Sequence, residues 1–185
     1  MLTFSRGDHR LGRSALVPEN VVERDGGFCL TLPGGTTDGA EIRSTEPFAS
    51  GVVRARIAVA DAPSSLTGFF LYAPPDHASE IDIEILNDPS GTVLLSTYAD
   101  GRQTNTETRS LGLDPTAGAH MYEIAWGPGR VTFTVDGTVL RTWADGVPGV
   151  PMHLYANAWF PAWLDGIAPA GTRATVIDRL EYQRR

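Results

Sequence analysis

Apolar and polar residues alternate along most of the chain in short runs that end at clusters of Gly, Pro, Asn or Asp. Alternation with a period of two is typical of strands that bury one face, and such clusters form turns. One run contains the pair Asp136-Gly137, which favours a tight hairpin. The predicted strands are 27–32, 51–60, 67–73, 80–86, 92–99, 120–126, the two arms of 130–143, and 175–183.

No segment shows a helical period of useful length, and the sequence contains neither an internal repeat nor a linker. Many short strands separated by turns, without helices, are typical of a sandwich or a barrel. A chain of 185 residues suits one all-β domain and is short for two. We therefore predict a single all-β sandwich that spans residues 1–185.

The run SEIDIEILND at 79–88 places Glu80, Asp82 and Glu84 at alternate positions with isoleucines between them. On a strand, the three carboxylates share one face and the isoleucines share the other. Like charges on one face repel each other, so this arrangement does not by itself stabilise the fold. Two carboxylates can cleave a glycosidic bond, one as nucleophile and one as general acid and base. A solvated strand face and a cation site are the alternatives that the pattern leaves open.

Two tryptophans, Trp159 and Trp163, occur in the stretch YANAWFPAWLDG at 155–166, among Pro, Gly and Asp. A buried strand does not usually end in such a stretch. Sugar rings stack on indole faces, and an amide such as that of Asn157 can bond to sugar hydroxyls. Burial of both tryptophans in the core is the alternative, because Trp is usually well buried.

Four further residues complete the predicted substrate-binding set: Tyr72, Tyr98, Glu41 and Arg43. The two tyrosines lie on the runs that flank the acidic run, so they are candidates for the same groove. In the segment AEIRS, Glu41 and Arg43 can bond to sugar hydroxyls, and pairing with each other on the surface is the alternative.

The net charge of −7, without any lysine, argues against nucleic acid or an anionic membrane as the partner. A neutral polymer is not repelled by such a surface. No run of about 18 apolar residues predicts a membrane span, and the segment MLTFSRGDHRLG lacks the apolar stretch of a signal peptide. We expect an extracellular protein whose signal is absent from this chain, and a protein that is not exported is the alternative.

Other catalytic chemistries find no support in the sequence, which contains no GxSxG, Walker, HExxH or CxxC motif. The single Cys29 cannot form an internal disulfide, and we predict that it is a packed small residue. The histidines lack metal-ligand spacing, and we predict that His120 is packed or hydrogen-bonded.

Three segments together resemble glycoside hydrolase family 16: EIDIE at 80–84, HMYEIAWGPGRVTFTVDG at 120–137 and NAWFPAW at 157–163. This family includes bacterial licheninases, laminarinases and agarases and plant xyloglucan-active enzymes. The resemblance extends from about Asp25 to the C-terminus, and the unbroken EIDIE is similar to the licheninase and xyloglucan branches. It implies a β-jelly roll of two curved antiparallel sheets, with a substrate cleft across the concave face.

The resemblance also implies roles for the acidic run. Glu80 falls on the nucleophile of the family, Glu84 on its acid/base, and Asp82 on the aspartate that holds and tunes the nucleophile. Three residues fall on positions that line the licheninase cleft: Asn157, Trp159 and Trp163.

A structural calcium site on the convex side is a further implication, whereas catalysis is expected to need no cofactor. Asp178, in VIDRLEY, matches an aspartate that helps bind calcium in several members, together with a backbone carbonyl near Gly26 or Gly27. The sequence departs from licheninases at other sites. Ala78 stands where they carry a tryptophan, and Leu94 and Ser96 stand where they carry polar residues.

We therefore predict a monomeric, endo-acting, retaining β-glucanase that binds a polysaccharide or oligosaccharide, with mixed-linkage β-1,3-1,4-glucan as the favoured substrate and β-1,3-glucan next. A transglycosylase of the same family, acting on xyloglucan or glucan, is the alternative with the same chemistry. A non-catalytic carbohydrate-binding jelly roll is the alternative from another class. It is disfavoured because a lectin has no use for both Glu80 and Glu84.

Overall fold

The computed structural model describes residues 2–184. These residues form sixteen strands and one short 3-10 helix, Pro18–Asn20, with no α-helix and therefore no helix able to cross a membrane. In chain order the strands are β1 (Phe4–Arg6), β2 (His9–Leu11), β3 (Ser14–Leu16), β4 (Val21–Arg24), β5 (Gly27–Leu32), β6 (Ala40–Phe48), β7 (Gly51–Ala58), β8 (Leu66–Ala73), β9 (Ser79–Leu86), β10 (Thr92–Ala99), β11 (Arg102–Ser110), β12 (His120–Gly127), β13 (Arg130–Val135), β14 (Thr138–Trp143), β15 (Met152–Trp159) and β16 (Arg173–Gln183).

Fourteen of these strands form two seven-stranded sheets. We call the sheet with the strand order β1-β6-β15-β8-β9-β10-β11 the cleft sheet, and the sheet with the order β14-β13-β12-β7-β16-β5-β4 the outer sheet. Strands β2 and β3 form a separate hairpin. Neighbouring strands within both sheets run antiparallel, as predicted for a β-sandwich.

The hydrophobic core lies between the two sheets, and β9 shows how it is built. Ile81, Ile83 and Ile85 are fully buried and pack in this core. Because side chains alternate along a strand, the residues between these isoleucines must lie on the opposite face of the cleft sheet. Burial of the three isoleucines, worth about 1.5–3 kcal/mol each, therefore determines which way the acidic residues face.

All the runs predicted as strands do form strands, with ends displaced by no more than two residues. The prediction missed β6, β11 and β15 among the longer strands. β11, with the sequence RQTNTETRS, lies at a sheet edge and has no buried residue, so it has no apolar face to recognise. The expectation that a buried strand would not end within 155–166 was wrong, because the largely buried strand β15 ends at Trp159.

Candidate active site

The register of the cleft sheet places each acid of β9 between one residue of β8 and one of β10. These neighbours determine how polar the surroundings of each carboxyl group are. Glu80 lies between Tyr72 and Tyr98, Asp82 between Phe70 and Ser96, and Glu84 between Gly68 and Leu94.

An open cleft of about 730 Å³ covers this face of the sheet. All ten residues that the sequence nominated as catalytic or substrate-binding line it, although they come from five strands and one loop. They are Glu41, Arg43, Tyr72, Glu80, Asp82, Glu84, Tyr98, Asn157, Trp159 and Trp163.

The two candidate tryptophans lie at the cleft and not in the core. Trp159 is partly exposed, and 57% of Trp163 is exposed. The core instead contains Trp126 and Trp143, which are 4% and 6% exposed. The alternative in which Trp159 and Trp163 are core residues is therefore wrong, and both indole rings are available to a ligand.

A hydrogen-bonded chain of polar groups crosses the sheet beside Glu84. The amide nitrogen of Gly68 donates to Oδ1 of Asn157 at 3.2 Å, and Nδ2 of Asn157 donates to Oε2 of Glu41 at 3.2 Å. The other oxygen of Glu41, Oε1, lies 2.9 Å from Nε2 of His9. A side chain at position 68 would collide with this chain, because a Cβ there would lie 2.5 Å from Oδ1 of Asn157.

Glu41 therefore pairs with His9 and not with Arg43, contrary to the surface-pairing alternative. Glu41 is 4% exposed, and hydrogen bonds with His9 and Asn157 hold its carboxylate in place. The remaining lone pairs of such a buried carboxylate can accept hydrogen bonds from sugar hydroxyls.

Sequence reasoning missed several residues of the cleft. Phe70 follows the alternation of β8 between Gly68 and Tyr72 and was recognisable from that pattern. Its ring stacks on Tyr155 with centroids 5.0 Å apart. The segment from Ser5 to His9 carries no sequence signal and reaches the cleft only through the tertiary structure. The missed lining residues are Ser5, Arg6, Gly7, Asp8, His9, Leu11, Gly68, Phe70, Asp76, His77 and Tyr155.

The loop between β8 and β9 adds two polar side chains close to the acids. The hydroxyl group of Tyr72 donates to Oδ1 of Asp76 at 2.8 Å, and the ring of His77 packs against Tyr98 with centroids 5.0 Å apart. The contact between His77 and Tyr98 lines this part of the cleft.

Burial raises the pKa of Glu84 to about 7. The neighbours explain the effect, because Gly68 and Leu94 offer no polar side chain to stabilise a carboxylate. Leu94, a departure from the licheninase pattern, thus contributes to a group that keeps its proton close to neutral pH.

The pKa of Asp82 is raised too. Burial raises the pKa of Asp82 well above its usual range, and the charges of Glu80 and Glu84 add to this effect. Burial raises the pKa of Glu80 to about 7 as well, although the hydrogen bond with Asp82 partly opposes the rise because it stabilises the Glu80 carboxylate. Ser96 Oγ donates to Oδ2 of Asp82 at 2.8 Å and holds that carboxyl group in place.

The pKa values of Glu80 and Glu84 are thus both raised to about 7, and that of Asp82 lies well above its usual range. Glu80 differs from Glu84 in that its ionised form has a hydrogen-bond donor, the carboxyl group of Asp82. Clustered carboxyl groups with pKa values raised by burial and by one another are typical of catalytic sites.

Asp178 lies on the outer sheet, beside Gly27 and away from the cleft. Its carboxylate forms an ion pair with Arg56. As placed, it does not fit a calcium ion, because the guanidinium group already neutralises the only carboxylate assigned to that site. Residues 2–184 contain no group of three or more His, Cys, Asp or Glu that is suited to a metal. Calcium binding stays a prediction, and it requires Asp178 to leave Arg56.

Two residues considered in the sequence analysis, Cys29 and His120, lie outside the cleft. Cys29 is partly buried on β5 and is a free thiol. His120 Nδ1 lies 2.6 Å from Oδ2 of Asp136, which confirms the prediction that His120 is hydrogen-bonded.

Comparison with known proteins agrees with this geometry. Residues 14–175 match the family described as Glycosyl hydrolases family 16. A beta-glucanase of Paenibacillus macerans is 32% identical over 125 residues, which cover 66% of this chain and 53% of that protein. Xyloglucan endotransglucosylase/hydrolase protein 22 of Arabidopsis thaliana is 29% identical over 74% of this chain and 52% of its own length. The chain thus spans about half the length of these two relatives.

Solved structures show the same fold. The beta-glucanase of Bacillus licheniformis superposes with a TM-score of 0.89 at 23% identity, covering 100% of this chain and 92% of that one. A family 16 protein of Bacteroides ovatus in complex with a G4G4G3G product superposes with a TM-score of 0.83 at 16% identity, covering 97% and 94%. The chain belongs to glycoside hydrolase family 16, and the predictions of this family and of a jelly-roll sandwich are confirmed.

The raised pKa of Glu84 predicts a pH-dependent cost in stability. A carboxyl group whose pKa rises from 4.5 to about 7 on folding favours the folded state below pH 4.5, and this advantage is lost as the pH rises through 7. Glu84→Gln cannot ionise. We expect it to exceed the wild type in unfolding free energy by up to about 3 kcal/mol at pH 8, and by little at pH 4.

Denaturant unfolding of both proteins at pH 4, 6 and 8 measures this difference. Glu19→Gln, at an exposed glutamate, is the matched control and should change stability equally little at each pH. A Glu84→Gln difference that does not vary with pH would contradict the assignment.

Proposed function

We propose that the protein is an endo-acting, retaining β-glycoside hydrolase of neutral β-glucans, with mixed-linkage β-1,3-1,4-glucan as the favoured substrate and β-1,3-glucan next. The observation that carries the proposal is the row of three carboxyl groups at the floor of an open cleft, where burial raises the pKa of all three. A solvated strand face does not explain this row, because Asp82 is buried.

In the first step, Glu80 attacks the anomeric carbon while Glu84 gives its proton to the oxygen of the leaving sugar. The glycosidic bond breaks and an ester forms between the sugar and Glu80. In the second step, the Glu84 carboxylate takes a proton from water, whose oxygen attacks the anomeric carbon and releases Glu80. The second step leaves Glu84 protonated and Glu80 ionised, as both were at the start, so the cycle closes.

The spacing of the acids supports the retaining course. At about 3.3 Å per residue, the Cα atoms of Glu80 and Glu84 lie roughly 13 Å apart. Side chains of about 4 Å that lean toward each other over Asp82 leave a gap of roughly 5 Å. That gap is close to the ~5–5.5 Å of retaining enzymes and below the ~6.5–9.5 Å of inverting enzymes.

The lining of the cleft supports a neutral polymeric substrate. Aromatic rings from Tyr72, Trp159 and Trp163 can stack on sugar rings, and Asn157 and Glu41 can bond to hydroxyl groups. The open form of the cleft suits an internal segment of a chain. The names of the Paenibacillus and Bacillus relatives, which are beta-glucanases, agree with a glucan.

Transglycosylation is the second candidate, because the Arabidopsis relative is a xyloglucan endotransglucosylase/hydrolase. The two reactions share the glycosyl–Glu80 intermediate and differ only in whether water or a sugar hydroxyl attacks it. We further propose that the protein is a monomer and acts outside the cell, where such polymers occur.

The substrate proposal is tested by product profiles on barley glucan, lichenan, laminarin, xyloglucan and agarose. We expect rapid loss of viscosity and a ladder of oligosaccharides from barley glucan and lichenan, and less from laminarin. Products longer than the starting oligosaccharide would indicate transglycosylation. Inactivity on every glucan would overturn the proposal.

The retaining course predicts that the β-anomer of the new reducing end forms first. Proton NMR in the first minutes of turnover resolves the two anomers before they equilibrate. Early α-anomer would show inversion and would contradict the role of Glu80.

The two glutamates should differ in how their variants respond to the leaving group. Glu80→Ala should abolish turnover on every substrate. Glu84→Ala should retain activity on aryl glycosides, whose leaving groups need no acid, and added azide should restore further turnover. For the wild type, kcat/KM should fall as the pH rises through about 7, because Glu84 then loses its proton. Glu84→Ala acting on aryl glycosides should lack this alkaline limb, and a wild-type profile that stays flat into alkaline pH would contradict the assignment.

We also propose that calcium, where it binds, acts on stability through Asp178 in competition with Arg56. Arg56→Ala removes the competing cation, so calcium should raise the melting temperature of this variant more than that of the wild type. Melting curves in chelator and in excess calcium measure this, with Arg54→Ala as the control on the same strand. An equal response of all three proteins would argue against a site at Asp178.

A further inference from the structure

Trp163 lies in the loop that follows β15, and more than half of the indole is exposed. With so much of the ring in solvent, its orientation depends strongly on the backbone on either side, at Ala162 and Leu164.

Both of these backbone positions are held by one side chain, that of Arg13. Nη2 of Arg13 donates to the carbonyl oxygen of Ala162 at 3.0 Å and to that of Leu164 at 3.1 Å. Arg13 lies at the turn between β2 and β3, about 150 residues earlier in the chain. We propose that Arg13 is a positioning residue, which holds the loop of Trp163 and thereby sets the affinity of the cleft for long substrates.

The backbone of Arg13 is itself fixed. Its amide nitrogen donates to the carbonyl oxygen of Phe160 at 2.9 Å, and its carbonyl oxygen accepts from Oγ1 of Thr37 at 3.2 Å. The loop also closes over the arginine, because a Cβ at Gly166 would lie 2.5 Å from Cδ of Arg13. The guanidinium group therefore reaches the loop from a rigid base.

The same turn also supports the second tryptophan of the cleft. A Cβ at Gly12 would lie 2.6 Å from Cζ3 of Trp159, so the turn packs directly against that ring. Gly12 has a φ of +55°, a conformation that glycine adopts without strain. Gly12 and Arg13 together thus form a support for Trp159 and for the loop of Trp163.

Arginine suits this role better than lysine. Its planar group presents several N–H donors in a fixed geometry, whereas the lysine ammonium group is a mobile point charge. Both acceptors are neutral carbonyl groups, so the contact serves to position the loop. Gly12 and Arg13 precede the region that matches the family, residues 14–175, so the match assigns them no role.

The position of Trp163 can be measured without substrate. In protein labelled with 5-fluorotryptophan, the ¹⁹F resonance of Trp163 is assigned by its loss in Trp163→Phe. We expect Arg13→Ala to shift or broaden this resonance and to leave those of Trp126 and Trp143 unchanged. Arg10→Ala is the matched control, because Arg10 is an exposed arginine of the same hairpin that does not line the cleft. An unchanged Trp163 resonance in Arg13→Ala would overturn the proposal.

The consequence for affinity rests on the proposed function and is measured separately, on mixed-linkage oligosaccharides of increasing length. Arg13→Ala should raise KM for the longest members by about fivefold to tenfold, as part of the loss of one stacking contact. It should leave unchanged kcat, the melting temperature and the KM for the shortest oligosaccharides that are hydrolysed. Arg13→Lys should lie between Arg13→Ala and the wild type, and Arg10→Ala should match the wild type.

A double-mutant cycle with Trp163→Ala separates positioning from a general structural effect. If Arg13 acts through Trp163, the double variant should have the KM of Trp163→Ala alone. Additive losses, or a KM in Arg13→Ala equal to that of the wild type, would contradict the role in affinity. A wild type that hydrolyses none of the oligosaccharides would overturn the proposed function, and the ¹⁹F result would still decide the positioning of Trp163.

Discussion

The structure depends first on the register of β9. Its isoleucines fill the core between the sheets, and this burial forces Glu80, Asp82 and Glu84 onto the opposite face. A slip of one residue would exchange the two sets and would bury three carboxyl groups in the core, at a cost far above the gain from any single contact. The same apolar packing that stabilises the sandwich therefore also aligns the acids of the cleft.

The cleft obtains its chemical properties from an arrangement that opposes stability. Burial beside Gly68 and Leu94 raises the pKa of Glu84, so its ionisation disfavours the folded state. Glu80 and Asp82 share the same surface and compete for protons. The apolar core below the acids, in which Ile81 and Ile83 are fully buried, offsets this loss of folding stability.

The rest of the cleft comes from distant parts of the chain through strand pairing. Asn157 reaches Glu41 because β15 lies between β6 and β8, and it contacts Gly68 because that residue has no side chain. The hairpin of β2 and β3 closes one end, where His9 meets Glu41 and Arg13 meets the loop of Trp163. The part of the cleft that contains Trp159 and Trp163 is thus supported by a hairpin that belongs to neither sheet.

The sequence by itself determined the local features of this protein, because a strand period of two can be recognised within one segment. It predicted the sandwich, the shared face of the acids and the family. It could not predict the pairing of Glu41 with His9 or of Asp178 with Arg56, nor the contact of Arg13 with the loop of Trp163. Those contacts join segments far apart in the chain. The order and register of the strands decide them, and no pattern within a single segment records that order.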